Sequence, residues 1–347
     1  MQVGRMVRAH GRRMAVEVAN VVLNHEVVFR AIGAVNGRAG FIESVFLMYP
    51  ATDKYAQAIA YPSRIRKHKW SPGPAGLMVM NGKVGIIFGV TASVEHFRDE
   101  AHHESLVDLA NRMEHLRVLV GARQKTFAGV LPGVLASHGI LTDPPEGDIT
   151  ANVVAQAVRD LRTQELRGAP VIVLGGRGFV GRRLVALLSP DMQVHSVDAT
   201  DGEDSWPDHL DGQPVLLVNV ANRRALGQHL HRLWAGMAVL NEVYPEPDPD
   251  TLATLTLRGI PVHHVVGVAA RAIPAFPAAY QGAIPCCAAW PSEDAQVVVR
   301  HLNPDVEPVG SMPQQDNRPE PGGLGPVEPV RVPEIGSDEG KYVHVNA

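Results

Sequence analysis

The chain has 347 residues, of which 45% are hydrophobic and 20% charged, and its formal net charge is -4. At roughly 150 residues per domain, this length predicts about two domains. The composition excludes a collagen-like or wholly disordered chain, and the two cysteines exclude a disulfide framework. No apolar run reaches the roughly 18 residues that a membrane-crossing helix needs.

The charge is distributed unevenly along the chain. Residues 1–140 carry 17 basic and 10 acidic residues, whereas residues 141–347 carry 15 and 26, so the two parts have net charges of about +7 and -11. This asymmetry favours a partner or a second copy of the chain against the basic part, and so a possible homo-oligomer. The basic run Arg64–Lys69 is too short, and too poor in interleaved aromatic residues, to predict nucleic-acid binding.

The N-terminus is basic but does not have the pattern of a secretory signal. Four arginines lie before residue 14, and Glu17 interrupts the apolar stretch that follows. Apolar residues at helical spacing predict an amphipathic helix over Met14–Val28. We therefore expect a cytoplasmic protein.

Residues 1–147 are predicted to form an N-terminal α/β domain that binds a substrate or a partner. Val84–Val90 is a short apolar strand, His102–Leu116 has a helical apolar face, and Arg117–Val120 is predicted to return as a strand. An order of strand, helix and strand favours the α/β class.

A turn-rich cluster at 143–148 separates this domain from a second one, predicted over 148–302. Asp148 is expected to cap a helix that runs past Leu161 and ends by Gly168. Residues 303–347 contain eight prolines, six glycines and an excess of acids, so we predict a disordered acidic tail.

The strongest motif is a glycine-rich loop. Pro170–Leu174 is a continuous apolar run of the kind found in buried parallel strands, and a helix is predicted from Arg182. Between them, Gly176, Gly178 and Gly181 form Gly-x-Gly-x-x-Gly in the strand-turn-helix context that dinucleotide binding requires. The sequence therefore predicts a Rossmann-type, doubly wound parallel sheet, with the cofactor held by Gly176, Arg177, Gly178, Phe179, Val180 and Gly181.

An acidic residue follows the next predicted strand, Met192–Val197. Asp198 lies 22 residues after Gly176, where a carboxylate usually binds the ribose hydroxyls of NAD. Arg177 could instead meet the 2'-phosphate of NADP, so the choice between NAD and NADP stays open.

Further apolar strands are predicted at 214–219, 237–241 and 261–266. Ligands of parallel sheets bind beyond the carboxyl ends of the strands. We therefore expect Asn219, Ala221 and Asn222 near the cofactor, and Glu242 and Tyr244 on the substrate side, although a loop asparagine more often caps a turn.

Cys286 and Cys287 are the candidate nucleophiles. A thiolate beside the cofactor could carry an acyl group, and either His263 or His264, on opposite faces of a strand, could lower its pKa. Buried cysteines that only fill space are the alternative.

Lys125 is the other catalytic candidate. It is one of six lysines, and at a strand end facing the cleft it could be a general acid or bind an anion. A solvated surface lysine is the alternative. His96, Glu100 and His103 share helical spacing, but no second cluster completes a metal site, so no metal is predicted.

Three features carry a resemblance to known families. Phe41–Leu47, the 148–161 helix that enters the glycine loop and a late cysteine resemble the aldehyde-forming long-chain acyl-acyl carrier protein reductases. The second half is similar to the Rossmann domains of glutamyl-tRNA reductase, shikimate dehydrogenase and methylene-tetrahydrofolate dehydrogenase. The first likeness implies an acyl-carrying Cys286 or Cys287, although the doubled cysteine departs from that pattern. The likeness to shikimate or methylene-tetrahydrofolate dehydrogenase implies Lys125 instead.

Two hypotheses follow. The first is an NAD(P)-dependent oxidoreductase that acts on a carbonyl or acyl-thioester substrate, either a small molecule or bound to an acyl carrier, between the two domains. The second is a non-catalytic Rossmann protein that binds a dinucleotide as a sensor or assembly component, because the sequence shows no tight catalytic constellation such as Tyr-x-x-x-Lys.

Overall fold

A computed structural model describes residues 2–198, 205–276, 280, 282–292 and 294–306. They belong to one compact unit, Met1–Ser311. Among these residues no single helix is long and apolar enough to cross a membrane. Only the bent pair Val16–Leu23 and Glu26–Ala39, which meet at 75°, reaches that length and composition together.

The first half of the chain builds a five-stranded mixed sheet. Its elements are α1 (Gln2–Leu23), α2 (Glu26–Ala39), β1 (Ile42–Met48), α3 (Asp53–Ile59), α4 (Pro62–Lys67), β2 (Gly73–Met80), β3 (Lys83–Gly89), α5 (Val94–Arg98), α6 (His103–Val120), β4 (Gln124–Phe127), α7 (Leu131–Ser137) and α8 (Glu146–Gln164), with β10 (Arg271–Ile273) joining from later in the chain. The strands have the spatial order β10-β2-β3-β1-β4. Strands β3 and β4 pair in parallel with β1, and β2 and β10 add antiparallel neighbours at one edge.

The predicted strand Arg117–Val120 is wrong, because these residues form the last turn of α6. The apolar face of α6 extends at helical spacing to Val120, which is buried, so the turn packs as helix. Gly121, at φ 66°, then ends the helix in a left-handed conformation. The returning strand is β4, and Lys125 lies inside it.

The second half of the chain builds a seven-stranded sheet. Its elements are β5 (Val171–Leu174), α9 (Gly181–Leu188), β6 (Val194–Val197), β7 (Val215–Asn219), α10 (Ala225–Gln228), β8 (Met237–Asn241), α11 (Pro249–Leu257), β9 (Val262–Ala269), β11 (Ala283–Ile284) and β12 (Val297–His301). The strands have the spatial order β11-β9-β8-β7-β5-β6, and β12 also pairs with β9. Strands β5 to β9 run parallel, whereas β11 and β12 are antiparallel to β9.

This topology confirms the α/β class and the Rossmann-type parallel sheet. Counted along the chain, the parallel strands have the spatial order 2-1-3-4-5, so the direction of winding reverses between β5 and β7. In open α/β sheets the ligand crevice lies at such a reversal, beyond the carboxyl ends of the strands. The fold therefore predicts a ligand site at the loops that follow β5 and β7.

The two sheets share one hydrophobic core around α8. Phe46 of the first sheet belongs to the same cluster as Val171 and Leu240 of the second sheet, and the 3-10 turn Cys286–Ala288 packs into it. The boundary at 147/148 stays a prediction. Strand β10, which follows that boundary in the chain, pairs with β2 of the first sheet.

Three predicted boundaries differ from the structure. The helix expected at 14–28 is divided between α1 and α2. Pro145 rather than Asp148 is the N-cap of α8, and α8 ends at Gln164. At the C-terminus, Asn303 and Val306 are buried although the disordered tail was predicted from 303, because the Asn303 side chain accepts a hydrogen bond from Val262 N at 2.7 Å. Residues 307–347 lie outside the described part of the chain.

Candidate functional site

The glycine loop connects β5 to α9 at the reversal point of the sheet. Gly175 has φ +90°, and its N–H donates to Val197 O at 2.8 Å, while Gly178 N donates to Gly175 O at 3.0 Å. A side chain at Gly175 would collide with Ala221, because a Cβ there would lie 2.6 Å from the Ala221 Cα. The loop after β5 therefore touches the loop after β7 directly.

The three glycines of the fingerprint have different roles. A Cβ on Gly176 would lie 2.1 Å from Ser196 Oγ, and one on Gly181 would lie 2.0 Å from Gly175 O, so both glycines permit close packing. A Cβ on Gly178 would meet only Gly175 O, at 3.1 Å. Gly178 therefore presents bare backbone to open space, as a loop that approaches a phosphate requires.

Asp198 lies beside this loop. Its Oδ2 accepts a hydrogen bond from the backbone N–H of Arg177 at 3.2 Å. The carboxylate thus stands at the end of β6, next to the glycine turn, where a ribose acceptor is expected. This contact does not discriminate between NAD and NADP.

Phe179 and Val180 join the loop to the rest of the protein. The Arg183 guanidinium lies 4.6 Å from the centre of the Phe179 ring and donates to Phe179 O at 2.7 Å. The same guanidinium bonds Asp143, and Asp148 at 3.0 Å. Phe179 therefore helps to dock the loop on the start of α8, and Val180 packs against the shared core. Sequence reasoning missed Arg183, whose partners lie 35 and 40 positions away.

A ladder of buried polar side chains runs from the last residues of β7 and β8 to the third residue of β9. Asn219 Nδ2 donates to Asn241 Oδ1 at 2.8 Å, and Asn241 Nδ2 pairs with His264 Nδ1 at 3.0 Å. Burial lowers the pKa of His264 to about 4. The ring is therefore neutral near pH 7, and its Nδ1 accepts the Asn241 hydrogen bond.

The same ladder shapes the two loops beyond these strands. Asn219 Oδ1 accepts from Ala221 N at 3.2 Å, and Asn241 Nδ2 donates to Val243 O at 2.8 Å. The Glu242 amide donates to Asn219 O at 3.0 Å. The predicted residues Asn219 and Ala221 therefore lie at and just after the carboxyl end of β7, where Ala221 packs against Gly175 of the glycine loop. Asn222 caps a turn instead, since its Oδ1 accepts from Arg224 N at 2.9 Å.

A second group of chemically active side chains lies where the two sheets meet, and we call it the intersheet cluster: Tyr49, Glu146, Glu242, Tyr280, Cys286 and Cys287. Tyr49 follows β1, Glu146 begins α8 and Glu242 follows β8. Gly129, just after β4, donates its N–H to the Cys287 sulfur. The cluster thus gathers groups from distant parts of the chain.

The thiols of the cluster are not activated. Burial, together with the neighbouring Glu146 and Glu242, raises the pKa of Cys287 to about 12. Burial also raises the pKa of Cys286 well above its usual value. Neither histidine contacts a thiol in the described bonds, because His263 pairs with Glu165 at 3.1 Å and His264 with Asn241. Both cysteines are therefore neutral thiols near pH 7 rather than thiolate nucleophiles.

The two carboxyl groups of the cluster titrate near neutral pH. Burial raises the pKa of Glu242 to about 8 and that of Glu146 to about 7. Glu146 is 2% exposed, and its Oε1 accepts from Phe127 N at 2.6 Å, while its Oε2 has no partner among the described residues. Carboxyl groups with raised pKa values can act as proton donors at physiological pH.

Aromatic rings complete the intersheet cluster. Tyr280 stacks on Tyr244 at 5.6 Å and contacts Phe276 at 5.7 Å, and Phe276 in turn meets Phe46 of β1. Burial raises the pKa values of both Tyr49 and Tyr280, so both phenols stay protonated. Tyr244, expected on the substrate side, is thus linked to Tyr280. Tyr49 and Tyr280 were missed, since single tyrosines carry no local sequence pattern.

Lys125 forms its hydrogen bond with a residue outside the intersheet cluster. Its Nζ donates to Glu114 Oε2 at 2.7 Å. Hydrogen bonds from Arg117 and then Lys125 hold the pKa of Glu114 down at about 2, against the desolvation that opposes them. Lys125 lines a cavity of about 320 Å³ together with Arg123 and Pro144. The geometry thus gives Lys125 a structural partner rather than an open proton-donor position.

The predicted polar triplet His96, Glu100 and His103 is divided among three consecutive helical segments. His96 lies in α5, Glu100 in a 3-10 turn and His103 at the start of α6. His96 Nε2 pairs with Lys69 Nζ at 2.7 Å. No group of three or more His, Cys, Asp or Glu side chains within the described residues is placed to hold a metal ion.

Comparisons with known proteins give no family for the chain. No protein-family profile and no curated protein matches it. Among solved structures, a chain assigned as a malic enzyme (malate oxidoreductase) matches over 63% of this chain and 65% of its own, with 12% identity and a TM-score of 0.33. The bifunctional 5,10-methylenetetrahydrofolate dehydrogenase/cyclohydrolase from Thermoplasma acidophilum matches over 65% and 83%, with 15% identity and a TM-score of 0.29.

These likenesses are too weak to carry an argument about function. The chain spans less than two thirds of the malic enzyme chain. The likeness to acyl-acyl carrier protein reductases expected from sequence finds no support in these comparisons. The function proposed below therefore rests on the geometry of the glycine loop and of the intersheet cluster.

Proposed function

We propose that this protein is an NAD(P)-dependent oxidoreductase that reduces a carbonyl substrate at the meeting line of its two sheets. The observation that carries the proposal is the position of the glycine loop. It lies at the reversal point between β5 and β7, with the bare backbone of Gly178 open and the Asp198 carboxylate alongside. This combination is what dinucleotide-binding crevices have in common.

The residues present fit such a cofactor. Gly178 leaves room for a pyrophosphate, and α9 begins at Gly181, so the positive end of its helix dipole lies at this loop. Asp198 can accept hydrogen bonds from ribose hydroxyls. When bound, NAD(P)H would supply the hydride. Residues of the chain must then orient the substrate and provide the proton.

Glu242 is the proposed proton donor. It follows β8, two strand spacings or about 10 Å from β5 along the same sheet edge. With its pKa raised to about 8, its carboxyl is protonated near pH 7. In the reduction direction the carbonyl oxygen takes this proton, and the carboxylate then regains one from water. In the oxidation direction the carboxylate accepts the proton of the alcohol.

The open crevice leads to a first prediction. Replacing Gly178 with leucine should raise the Kd for the preferred dinucleotide at least about tenfold, or about 1.4 kcal/mol, because the side chain would fill the space expected for phosphate. Calorimetric titration with NAD, NADH, NADP and NADPH is the measurement. Gly37→Leu is the matched control, since Gly37 also has open space around it, on the exposed side of α2.

Wild-type protein that binds none of the four nucleotides at millimolar concentration would contradict the proposed function. Tight binding without turnover of aldehydes, ketones or acyl thioesters would instead favour a non-catalytic sensor or assembly protein.

The cysteines give a second prediction, which separates carbonyl reduction from a covalent thioester route. Because both thiols are protonated near pH 7, Cys287→Ser and Cys286→Ala should leave kcat unchanged. Steady-state kinetics with an aldehyde and with an acyl thioester is the measurement. A loss of thioester reduction alone in Cys287→Ser would establish the acyl-enzyme route and overturn our preference for a carbonyl.

A further inference from the structure

Tyr244 is an exposed aromatic residue close to the proposed proton donor. It lies in the loop after β8, two residues beyond Glu242, and it is 53% exposed. Two residues of chain span at most about 7 Å, so the two backbone positions are close in space. A large ring thus lies beside the candidate site and is accessible to solvent and to a substrate.

The loop that carries Tyr244 is held in place on both sides of Glu242. Asn241, which is buried, donates from Nδ2 to Val243 O at 2.8 Å, and the Glu242 amide donates to Asn219 O at 3.0 Å. These bonds tie the loop to the ends of β7 and β8. The exposed ring is therefore carried by a fixed backbone rather than by a free loop.

One face of the Tyr244 ring is already occupied within the protein. Tyr280 stacks against it with a centroid distance of 5.6 Å and an interplanar angle of 27°, and Phe276 contacts Tyr280 at 5.7 Å. Aromatic rings favour such offset stacking, and a ring can stack on both of its faces. Since Tyr244 remains exposed, the face turned away from Tyr280 is open to a further flat ring.

The inner end of this aromatic stack reaches the reacting groups. Burial, and then the nearby groups Cys287, Tyr244, Cys286 and Glu242, raise the pKa of Tyr280. Tyr280 therefore lies near both the exposed ring and the proposed proton donor. A carbonyl attached directly to a ring stacked on Tyr244 is thus the functional group that Glu242 can reach.

Basic side chains are not bonded to the groups around this position. All six members of the intersheet cluster are acids, and within the described residues none of them forms a hydrogen bond or an ion pair with a lysine or an arginine. An anionic substrate would lose its hydration here without gaining a bonded cation, which costs free energy. The site therefore favours an uncharged substrate.

We propose that Tyr244 determines the substrate class, and that the substrate is an uncharged aryl aldehyde or ketone whose ring stacks on the open face of Tyr244. This inference rests on the proposed function, because it places the substrate carbonyl at Glu242. The carbonyl carbon accepts the hydride of NAD(P)H and the carbonyl oxygen accepts the Glu242 proton. The products are an aryl alcohol, NAD(P)⁺ and the Glu242 carboxylate.

Binding of unreactive analogues tests the substrate class without turnover. Benzamide, cyclohexanecarboxamide and benzoate present an uncharged flat ring, an uncharged puckered ring and a charged flat ring. In calorimetric titrations, wild type should bind benzamide roughly three- to tenfold more tightly than either of the others, the range that an aromatic pair contributes. Benzamide binding that is absent, or within twofold of either competitor, would overturn the proposal.

Three variants assign the effect to Tyr244. Tyr244→Leu should raise the Kd for benzamide and the KM for benzaldehyde roughly three- to tenfold, because it removes the ring face, and Tyr244→Phe should recover the wild-type values. Tyr55→Leu is the matched control, since Tyr55 is 63% exposed on α3 and has no aromatic contact in the described part of the chain. Unchanged values in Tyr244→Leu would overturn the proposal.

The proposed function and the aryl substrate fail in different ways. A protein that binds none of the four dinucleotides contradicts the proposed function, and with it the aryl substrate. A protein that binds a dinucleotide but reduces only aliphatic or anionic carbonyls keeps the proposed function and overturns the aryl substrate.

Discussion

Glu242→Gln should lower kcat for carbonyl reduction by roughly 10²- to 10⁴-fold, the range that general acid catalysis typically contributes. The amide is similar in size to the carboxyl and can still donate a hydrogen bond, but it cannot release a proton to the substrate oxygen. The KM should change little, because the backbone hydrogen bond from Glu242 N to Asn219 O does not depend on the side chain. Steady-state kinetics with a saturating cofactor is the measurement.

The pH dependence provides a readout that a purely structural residue would not give. Since Glu242 has a pKa of about 8 and acts in its protonated form, the wild-type reduction rate should fall about tenfold per unit above about pH 8. The residual activity of Glu242→Gln should lack this fall. Glu104→Gln, an exposed glutamate at the start of α6, should retain the wild-type rate and profile.

Glu242→Gln should gain stability although it loses activity. The folded-state pKa of Glu242 lies above its ordinary value of 4.5, so the folded protein holds a proton that the unfolded chain releases. This contribution to stability is complete at low pH and is lost between about pH 4.5 and 8. Relative to wild type, Glu242→Gln should therefore gain thermal stability as the pH rises from about 4.5 to about 8.

A kcat of Glu242→Gln within twofold of wild type would exclude Glu242 as the proton donor.

The parallel sheet could be predicted because its signals are local. Strand β5 is an uninterrupted apolar run, β7 is apolar up to its last residue Asn219, and both are buried along their whole length, while the glycine loop follows β5 without a gap. The last turn of α6 could not be separated from a strand in the same way, because four apolar-rich residues fit both periodicities. Packing of Leu116 and Val120 against the core decides in favour of the helix.

The crevice could be predicted more fully than the intersheet cluster. Gly178 and Asp198 lie within one strand-loop-helix-strand segment, so spacing in the sequence reports their proximity. The cluster instead brings Tyr49 and Glu146 to Cys287 across more than 100 residues, and this depends on how the two sheets pack. The raised pKa values of these groups come from burial, which no sequence pattern measures.

The strength of cofactor binding should depend on the buried ladder Asn219–Asn241–His264, which holds Ala221 against the glycine loop. His264→Leu removes the acceptor of the Asn241 hydrogen bond and leaves a buried N–H unpaired, which should lower the free energy of unfolding by about 1–3 kcal/mol. Once Asn241 turns, Asn219 loses its acceptor and no longer fixes Ala221, against which Gly175 packs. The dinucleotide Kd should then rise about tenfold, or about 1.4 kcal/mol.

Two further variants separate positioning from general stability. His264→Asn places an amide oxygen where the ring Nδ1 was, so it should restore both the hydrogen bond and the wild-type Kd. Asn303→Ala removes another buried asparagine, whose side chain accepts from Val262 N at the first residue of β9 and donates to Ile260 O. It should lower the thermal midpoint without changing the Kd, because these hydrogen bonds do not involve Asn219, Asn241 or the glycine loop. If His264→Leu, like Asn303→Ala, lowers the thermal midpoint but leaves the dinucleotide Kd unchanged, the ladder stabilises the fold and does not position the glycine loop.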